Sequence, residues 1–251
     1  MPVKTLKIIL TTLYIIQSIA ASATVCIPIE FIGKYETSAF IARVTITSVV
    51  PNEKDRFYYK SDISIRTLYK GPRITSILIE GSSDGKVRMT SDIFFPKNTE
   101  LLVYARLNED GQHIFGSCSG YQILDKKPSH ATRRELAMLD VLKKKHKPGS
   151  TIYRYSAEFG DQLKPLRGIS LSKSFAIYEI TFGSGRQIDS VRTVSGFTYE
   201  IDEKLKTIVK SADWIGHDPD PGASKGKKRL VAFYYYEAEK NELSFIGEWD
   251  V

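Results

Sequence analysis

The sequence predicts a mainly β protein with α+β character, in which a five-stranded barrel or sandwich with one helix precedes a small ββαβ unit. Three observations predict this order. Five alternating or β-branched segments, separated by turn sequences, lie between residues 38 and 115, as is typical of antiparallel barrels and sandwiches. A leucine-containing segment with helical spacing follows them. After residue 172, a second set of strand patterns surrounds another helical segment.

The strands of the first unit are predicted from alternation of apolar and polar residues and from the turn sequences between them. They are expected over residues 38–50, 58–68, 76–80, 100–107 and from His113 towards Cys118. Gly71-Pro72 ends the second strand because neither residue suits a strand interior. Residues 81–92 form a polar loop, and residues 108–111 form a tight turn.

The helix of the first unit is predicted to begin at Thr132, because Thr132 and Glu135 have the spacing of a capping box. Leucines then recur at helical spacing at positions 136, 139 and 142. Four lysines between residues 143 and 147 match the negative end of the helix dipole, and Pro148-Gly149 stops the helix. This lysine run is interpreted as a solvated helix end, with an acidic partner as the alternative.

The second unit follows a segment without a clear period, residues 149–171, which is interpreted as a linker with one possible short strand. Strands are predicted over 175–182, 187–195 and 229–237, with a further strand near 243–249. Residues 183–186 suggest a hairpin turn. One helical face is formed by apolar residues between the second and third strands, namely Ile201, Leu205, Ile208 and Val209.

Residues 1–23 have the pattern of a secretory signal. Lys4 and Lys7 precede the mostly apolar residues 8–19, and Ala21 and Ala23 occupy the −3 and −1 positions of a cleavage site. The apolar segment is shorter than the ~20 residues that a transmembrane helix needs. We therefore expect a periplasmic or secreted protein. An uncleaved signal anchor is the alternative, and only then would the membrane be a partner.

Export would place the two cysteines, Cys26 and Cys118, in an oxidising compartment, where two cysteines in one chain usually pair. Closing a loop of this size would stabilise the protein by about 4–5 kcal/mol in the chain-entropy model. Two free thiols are the alternative. The net charge of +7 is interpreted as a solvated basic surface, although it could also favour anionic partners.

An ordered set of motifs carries a family resemblance. It comprises Cys26-Ile27-Pro28, the strand at residues 39–44, Leu68-Tyr69-Lys70-Gly71, the strand at 101–104 and Ser117-Cys118-Ser119-Gly120. Over residues 24–125, the chain resembles the OB-fold module of tissue inhibitors of metalloproteinases and the related netrin-type modules. The resemblance implies an OB fold and supports a disulfide between Cys26 and Cys118.

The same resemblance implies a protease-binding ridge at the mature N-terminus. The family inhibits zinc proteases through the amino group and carbonyl of an N-terminal cysteine. Cleavage after Ala23 would place Thr24 where that cysteine belongs, so the chelating end would lack one tether. The candidate ridge comprises Thr24, Val25, Cys26, Ile27 and Pro28. The alternative is a related scaffold without inhibitory activity.

Residues 172–237 resemble the C-terminal domain of TonB-like energy transducers. The resemblance rests on Gly183-Ser184-Gly185, Val194-Ser195-Gly196, Trp214 and Pro221-Gly222. The long Pro-rich spacer of transducers is missing from the sequence. The likeness implies that a sheet edge accepts an extended peptide. The candidate edge residues are Arg229, Val231, Phe233 and Tyr235. This edge could equally pack on the first domain or pair with another copy.

No motif indicates catalysis. The four histidines form no H-x-x-x-H, neither cysteine belongs to a C-x-x-C, and there is no G-x-S-x-G. The polar cluster at residues 217–220 is interpreted as an exposed loop, with a cation-binding loop as the alternative. We therefore expect no enzyme activity, no catalytic residues, no metal site and no cofactor. Export also argues against nucleic acid as a partner.

The sequence thus predicts a signal at 1–23, an OB-like domain with its helix at 24–148, a linker at 149–171 and an α+β domain at 172–251. The predicted function is non-catalytic protein binding in the cell envelope or outside the cell, with an envelope protein or a zinc metalloprotease as the partner. Two alternatives are inhibition of a metalloprotease through Thr24 and a membrane-anchored, TonB-like transducer component.

Overall fold

A computed structural model describes residues 26, 29–146, 155–184, 187–216, 225–239 and 242–249. The predicted signal lies outside the described residues. So do the polar cluster at 217–220 and four members of the predicted ridge, namely Thr24, Val25, Ile27 and Pro28. These predictions remain untested by the structure.

The first unit is a closed barrel, which decides between the barrel and the sandwich that the sequence left open. Its strands are β1 (Phe40–Pro51), β2 (Tyr58–Lys70), β3 (Ser76–Glu80), β4 (Glu100–Leu107) and β5 (His113–Phe115). They pair in the order β1-β2-β3-β5-β4, and β4 pairs back with β1. Only the β3–β5 pairing in this ring is parallel. The barrel is therefore OB-like, and the bounds predicted for β3 and β4 are confirmed.

Strand β4 explains how the barrel joins the rest of the molecule. Leu101 and Val103 point into the barrel core, whereas Leu102 and Tyr104 are buried in a second cluster outside it. A strand that is buried on both faces has a continuous run of apolar residues in its sequence. Residues 101–105 form such a run. A short strand that the sequence analysis missed, β6 (Tyr121–Ile123), also pairs with β4.

Two helices pack against the outside of the barrel. The first, α1 (Phe31–Thr37), was not predicted, because seven residues carry too little periodicity to be recognised. The second, α2 (His130–Lys145), begins earlier than predicted. Its N-cap is Ser129, whose Oγ accepts a hydrogen bond from the Thr132 N–H at 3.1 Å. The prediction of Thr132 as the cap residue was therefore wrong.

The second unit is a four-stranded antiparallel sheet with the order β12-β11-β8-β9. Its strands are β8 (Phe175–Phe182), β9 (Ile188–Ser195), β11 (Lys228–Tyr236) and β12 (Phe245–Gly247). Helix α4 (Tyr199–Ser211) follows β9, as the sequence predicts. Two short strands, β7 (Tyr155–Ser156) and β10 (Ile215–Gly216), form a separate pair.

The segment interpreted as a linker contributes buried side chains to this second unit. It contains β7, helix α3 (Gly160–Leu163) and a 3₁₀ turn (Lys164–Leu166). Tyr155, Phe159, Leu163 and Leu166 are all buried in the cluster that includes the inner side of α4. The sequence shows no period here because each element is too short to repeat one. The predicted domain boundaries themselves stay a prediction.

Both faces of the second sheet are buried. Along β11, Val231, Phe233 and Tyr235 pack in the cluster with α4, whereas Leu230, Ala232 and Tyr234 pack in the cluster shared with the barrel. Helix α2 lies in this shared cluster, through Met138, Leu139 and Leu142. The barrel and the sheet therefore share one hydrophobic core, with α2 between them.

Candidate functional site

The predicted disulfide is present, and it ties the beginning of the described chain to the barrel. Cys26 and Cys118 are bonded, with their Cα atoms 5.1 Å apart and a sequence separation of 92. The bond holds the residue that precedes α1 beside the segment after β5. Of the predicted ridge, the structure therefore places only Cys26.

A buried network around Glu135 fixes α1 and α2 against the barrel. The Glu135 carboxylate accepts hydrogen bonds from Lys34 Nζ at 2.7 Å and from Tyr104 Oη at 2.5 Å, and also from the Gln122 amide. Burial, together with the Glu135 carboxylate, raises the pKa of Tyr104 well above its usual range. Because these partners come from α1, β4 and β6, the network holds α1 and α2 in fixed positions against the barrel.

The predicted peptide edge lies on β11, which occupies an interior position in the sheet. Strand β8 pairs with β11 over residues 228–234, whereas β12 pairs with it only over residues 234–236. The first part of β11 therefore has no strand on its second side within the described chain. Three of the four predicted edge residues, Val231, Phe233 and Tyr235, are buried in the sheet core.

The direction of the main-chain groups shows which residues of β11 face the side that has no partner strand. The Leu230 N–H points away from β8, because it donates to Glu36 Oε1 at 3.0 Å. Facing residues in antiparallel pairs alternate between hydrogen-bonded and non-bonded. Leu230 and Ala232 therefore direct their main-chain groups to the side of β11 that has no partner strand. Arg229, Val231 and Phe233 direct theirs to β8.

Helix α1 approaches this side of β11 with two carboxylates. Besides the hydrogen bond that the Leu230 N–H donates to Glu36, Glu30 Oε1 lies 3.2 Å from Arg229 Nη2. The guanidinium of Arg229 also lies over the ring of Trp214, 5.9 Å from its centroid. Arg229 is the one predicted edge residue outside the buried core. Its guanidinium is the main positive charge at the site.

The carboxylates around Arg229 are held at raised pKa values. Burial raises the pKa of Glu36 to about 7, although the Leu230 N–H and Arg229 oppose the rise. Burial likewise raises the pKa of Glu30 and of Glu248, in spite of Arg229 at the first and the Phe159 N–H at the second. A cluster of perturbed carboxylates beside a cleft is a feature of binding and active sites.

A cleft of about 60 Å³ opens beside the part of β11 that has no partner strand on its second side. Its walls combine aromatic rings, carboxylates and one guanidinium, contributed chiefly by Phe159, Trp214, Arg229, Glu30, Glu248 and Trp249. The Trp249 side chain is 61% exposed. This size and chemistry suit a single amphipathic side chain rather than a large ligand.

Most residues of the cleft were not predicted from the sequence. Glu36 lies on α1 and Glu30 is the N-cap residue of this helix, which has no sequence signal. Glu248 and Trp249 follow a strand of only three residues. Their convergence depends on long-range packing, since Glu30 and Arg229 are 199 residues apart. The only available signal was the pair of tryptophans in the second unit.

The described residues contain no group of three or more His, Cys, Asp or Glu side chains placed to hold a metal ion. In the same part of the chain, none of the helices is both long enough and apolar enough to span a membrane. The disulfide is compatible with an oxidising, extracytoplasmic location.

These features define a disulfide-linked, OB-like barrel that shares its core with a mainly antiparallel α+β unit and presents a cleft beside an incompletely paired strand. Comparison of the chain with protein-family models and with curated proteins finds no match in either set. The likeness to metalloproteinase inhibitors and to TonB-like domains therefore rests on the motifs alone.

Proposed function

We propose that this protein is an exported, non-catalytic protein-binding protein, and that a partner inserts one side chain into the cleft beside β11. The observation that carries the proposal is the incomplete pairing of β11, which leaves Leu230 and Ala232 beside the cleft without a neighbouring strand. Because the Leu230 N–H already donates to Glu36, the groups offered to a partner are the Leu230 carbonyl and the Ala232 main chain. Main-chain groups at such a position can hydrogen-bond to an extended partner segment.

The walls of the cleft support binding rather than catalysis. Trp249, Trp214 and Phe159 provide aromatic surface, and aromatic pockets are where interfaces concentrate their binding energy. Glu30 and Glu248 lie beside these rings with raised pKa values, so a polar or basic group on the inserted side chain would find acceptors. Ser156 lines the cleft, but no histidine lies among the described lining residues to act as the base that a serine nucleophile needs.

A selection experiment tests this proposal. Peptides would be selected from a random decapeptide library on the full chain, and their affinities measured by fluorescence anisotropy. Trp249→Ala removes an exposed wall of the cleft, so we expect binding to weaken by about tenfold. The matched control is Tyr199→Ala, because Tyr199 is an exposed aromatic residue on α4, outside the cleft.

Amide hydrogen exchange gives a second measurement on the same complexes. A bound segment should protect the Ala232 amide, which faces the cleft. Selected peptides that bind Trp249→Ala as well as they bind the unchanged chain, and that leave Ala232 unprotected, would contradict the proposal.

Inhibition of a zinc metalloprotease is a second candidate function, and the disulfide favours it. The bond holds Cys26 against Cys118, and Cys26 lies only two residues after Thr24. An amino group and a carbonyl held in place could occupy a protease zinc and displace its water. N-terminal sequencing should find Thr24 as the first residue. One additional alanine before Thr24 should abolish inhibition in a protease assay, and inhibition that survived this extension would exclude the mechanism.

A further inference from the structure

Glu179 lies at the centre of a charged cluster on the side of the second sheet that faces α2. Its carboxylate side chain is only 8% exposed, and three basic groups from three different elements surround it. Arg192 on β9 and Lys228 on β11 lie 3.2 and 3.1 Å from its oxygens, and His146 Nδ1 at the end of α2 lies 3.2 Å away.

The cluster carries an excess of positive charge. Burial opposes ionisation of Glu179, but hydrogen bonds from Arg192 and Lys228 outweigh it and hold the pKa of this carboxyl below its usual range. Burial lowers the pKa of His146, although Glu179 opposes the shift. The one carboxylate is therefore paired with two basic side chains, Arg192 and Lys228, besides His146.

Both cations keep hydrogen-bonding capacity for a partner. The side chain of Arg192 is 52% exposed and that of Lys228 is 47% exposed. Nε and Nη2 of Arg192 contact the Glu179 carboxylate. The Nη1 group, which carries two N–H donors, is not part of these contacts. Glu179 holds the guanidinium in one orientation, which reduces the entropy that a partner must remove on binding.

The last turn of α2 adds further positive charge beside this cluster. Lys143, Lys144 and Lys145 are exposed and directly precede His146, and α2 contacts β9. None of the exposed large apolar side chains in the described chain belongs to this turn, to β9 or to the first half of β11. The surface is therefore cationic without the apolar side chains that insert into a membrane.

Strand β9 is the outermost strand of the sheet, and no other strand of the described chain pairs with its outer side. Because Leu230 directs its main chain away from β8, the opposite residue Glu179 directs its own main chain towards Arg192. Val191 and Thr193, on either side of Arg192, therefore point their N–H and C=O groups outwards.

We propose that the outer edge of β9 binds an extended acidic peptide segment as a fifth strand, with carboxylates of that segment facing Arg192 and the lysines at the end of α2. The open edge is the reason to choose a peptide over other polyanions, because only a peptide supplies main-chain partners for Val191 and Thr193. The cations select acidic side chains at alternate positions, since alternate residues of a strand share one face. This surface is separate from the cleft beside β11.

The probe for this proposal is a labelled decapeptide of alternating Thr and Glu, with a Thr–Lys decapeptide as its charge control. Binding to the full chain would be measured by fluorescence anisotropy at low salt and at physiological salt. We expect the acidic peptide to bind and the basic peptide not to bind. Arg192→Ala should weaken binding by about tenfold, the effect expected from losing a hydrogen bond to a charged group.

Lys204→Ala is the matched control, because Lys204 is an exposed cation on α4 and its loss changes the net charge equally. It should change the affinity by less than about twofold. A Thr–Glu peptide with N-methyl groups on its Thr residues cannot form the ladder with β9, because these residues, and not the Glu residues opposite Arg192, direct their N–H groups to Val191 and Thr193. It should also bind about tenfold more weakly. Circular dichroism would establish that each variant is folded.

Four results would overturn the proposal. Equal binding of the N-methylated peptide would show that charge alone attracts the ligand, and equal binding of dextran sulfate would lead to the same conclusion. Equal loss in Lys204→Ala would show a diffuse effect of net charge. Absence of binding by the acidic peptide would be the fourth. Trp249→Ala should leave this affinity unchanged, so failure here and failure of the cleft proposal can be told apart.

Discussion

The barrel and the second sheet use their main-chain groups in opposite ways. In the barrel, β4 pairs back with β1, so the ring of five strands has no open edge. The second sheet buries both faces but, within the described chain, has no partner strand on the outer side of β9 or beside the first part of β11, where α1 lies instead. Closure removes the sites at which a partner strand can add. A partner of the barrel is thus limited to its loops and its N-terminal end, whereas the sheet can bind through its edges.

The comparison also shows that the two units are not independent. Helix α2, predicted as an appendage of the barrel, lies in a cluster with Ile177, Leu230 and Tyr234 of the second sheet. A shared core of this kind should make the units unfold together. The predictions that follow separate the contribution of the barrel from that of the shared core and of the sheet.

The largest effect is expected from the disulfide, which acts on the barrel. Replacing Cys26 and Cys118 by serine should lower the free energy of unfolding by about 4–5 kcal/mol, because the unfolded chain regains the freedom of a 92-residue loop. Urea denaturation of the double variant measures this loss. A change below about 1 kcal/mol would show that the N-terminal end contributes little to the barrel.

Leu139→Ala tests whether the shared core couples the two units. Leu139 is completely buried in α2, so we expect a loss of about 2–5 kcal/mol. Fluorescence of Trp214 reports the sheet, and hydrogen exchange of β4 amides reports the barrel. Both should show the same lowered midpoint. Lys144→Ala, on the exposed side of the same helix, is the control, and separate transitions in Leu139→Ala would disprove the coupling.

The interface between α1 and β11 should make stability depend on pH. The pKa of Glu36 is about 7 in the folded protein, above its ordinary value of 4.5. Between these values, the folded state retains a proton that the unfolded state has lost. The stabilising contribution of the protonated Glu36 carboxyl group is therefore complete below pH 4.5 and is lost as the pH rises through 7.

Glu36→Gln keeps an acceptor for the Leu230 N–H and removes this titration. The free energy of unfolding of the variant, minus that of the unchanged chain, should rise by about 2 kcal/mol from pH 5 to pH 8, allowing for solvent screening. Urea midpoints at the two pH values measure the difference. Glu203→Gln, on the exposed side of α4, is the control. A parallel pH profile in both variants would show that Glu36 is not the group responsible.

The smallest effect is expected at an exposed ion pair of the second unit. Lys204 Nζ lies 2.6 Å from Glu200 on α4, and both side chains are more than half exposed. Lys204→Ala should therefore change the free energy of unfolding by less than about 0.5 kcal/mol. A thermal melt checks this value, and a larger loss would indicate that α4 depends on its surface charges more than on Leu205 and Val209.

The longer elements of the fold could be predicted from the sequence, because their patterns repeat over several residues. Alternation located β1 to β5, and helical spacing located α2 and α4. Helix α1, strand β6 and the elements within residues 155–166 could not be located, because none of them is long enough to repeat its period several times. The error at Thr132 has a related cause, since Ser129 offers an equally good cap three residues earlier and Glu135 is held by tertiary partners instead.

The sequence by itself determined which segments form strands, where the main helices lie and which cysteines pair, because local periodicity and the count of two cysteines suffice for these features. Only the tertiary structure decided which strand edges stay open, that Glu36 meets Leu230, and that Glu179 gathers Arg192, Lys228 and His146. These contacts join residues 13 to 194 positions apart. They arise from the pairing of β9 and β11 with β8 and from the packing of α1 and α2 against the sheet, and no local pattern encodes that arrangement.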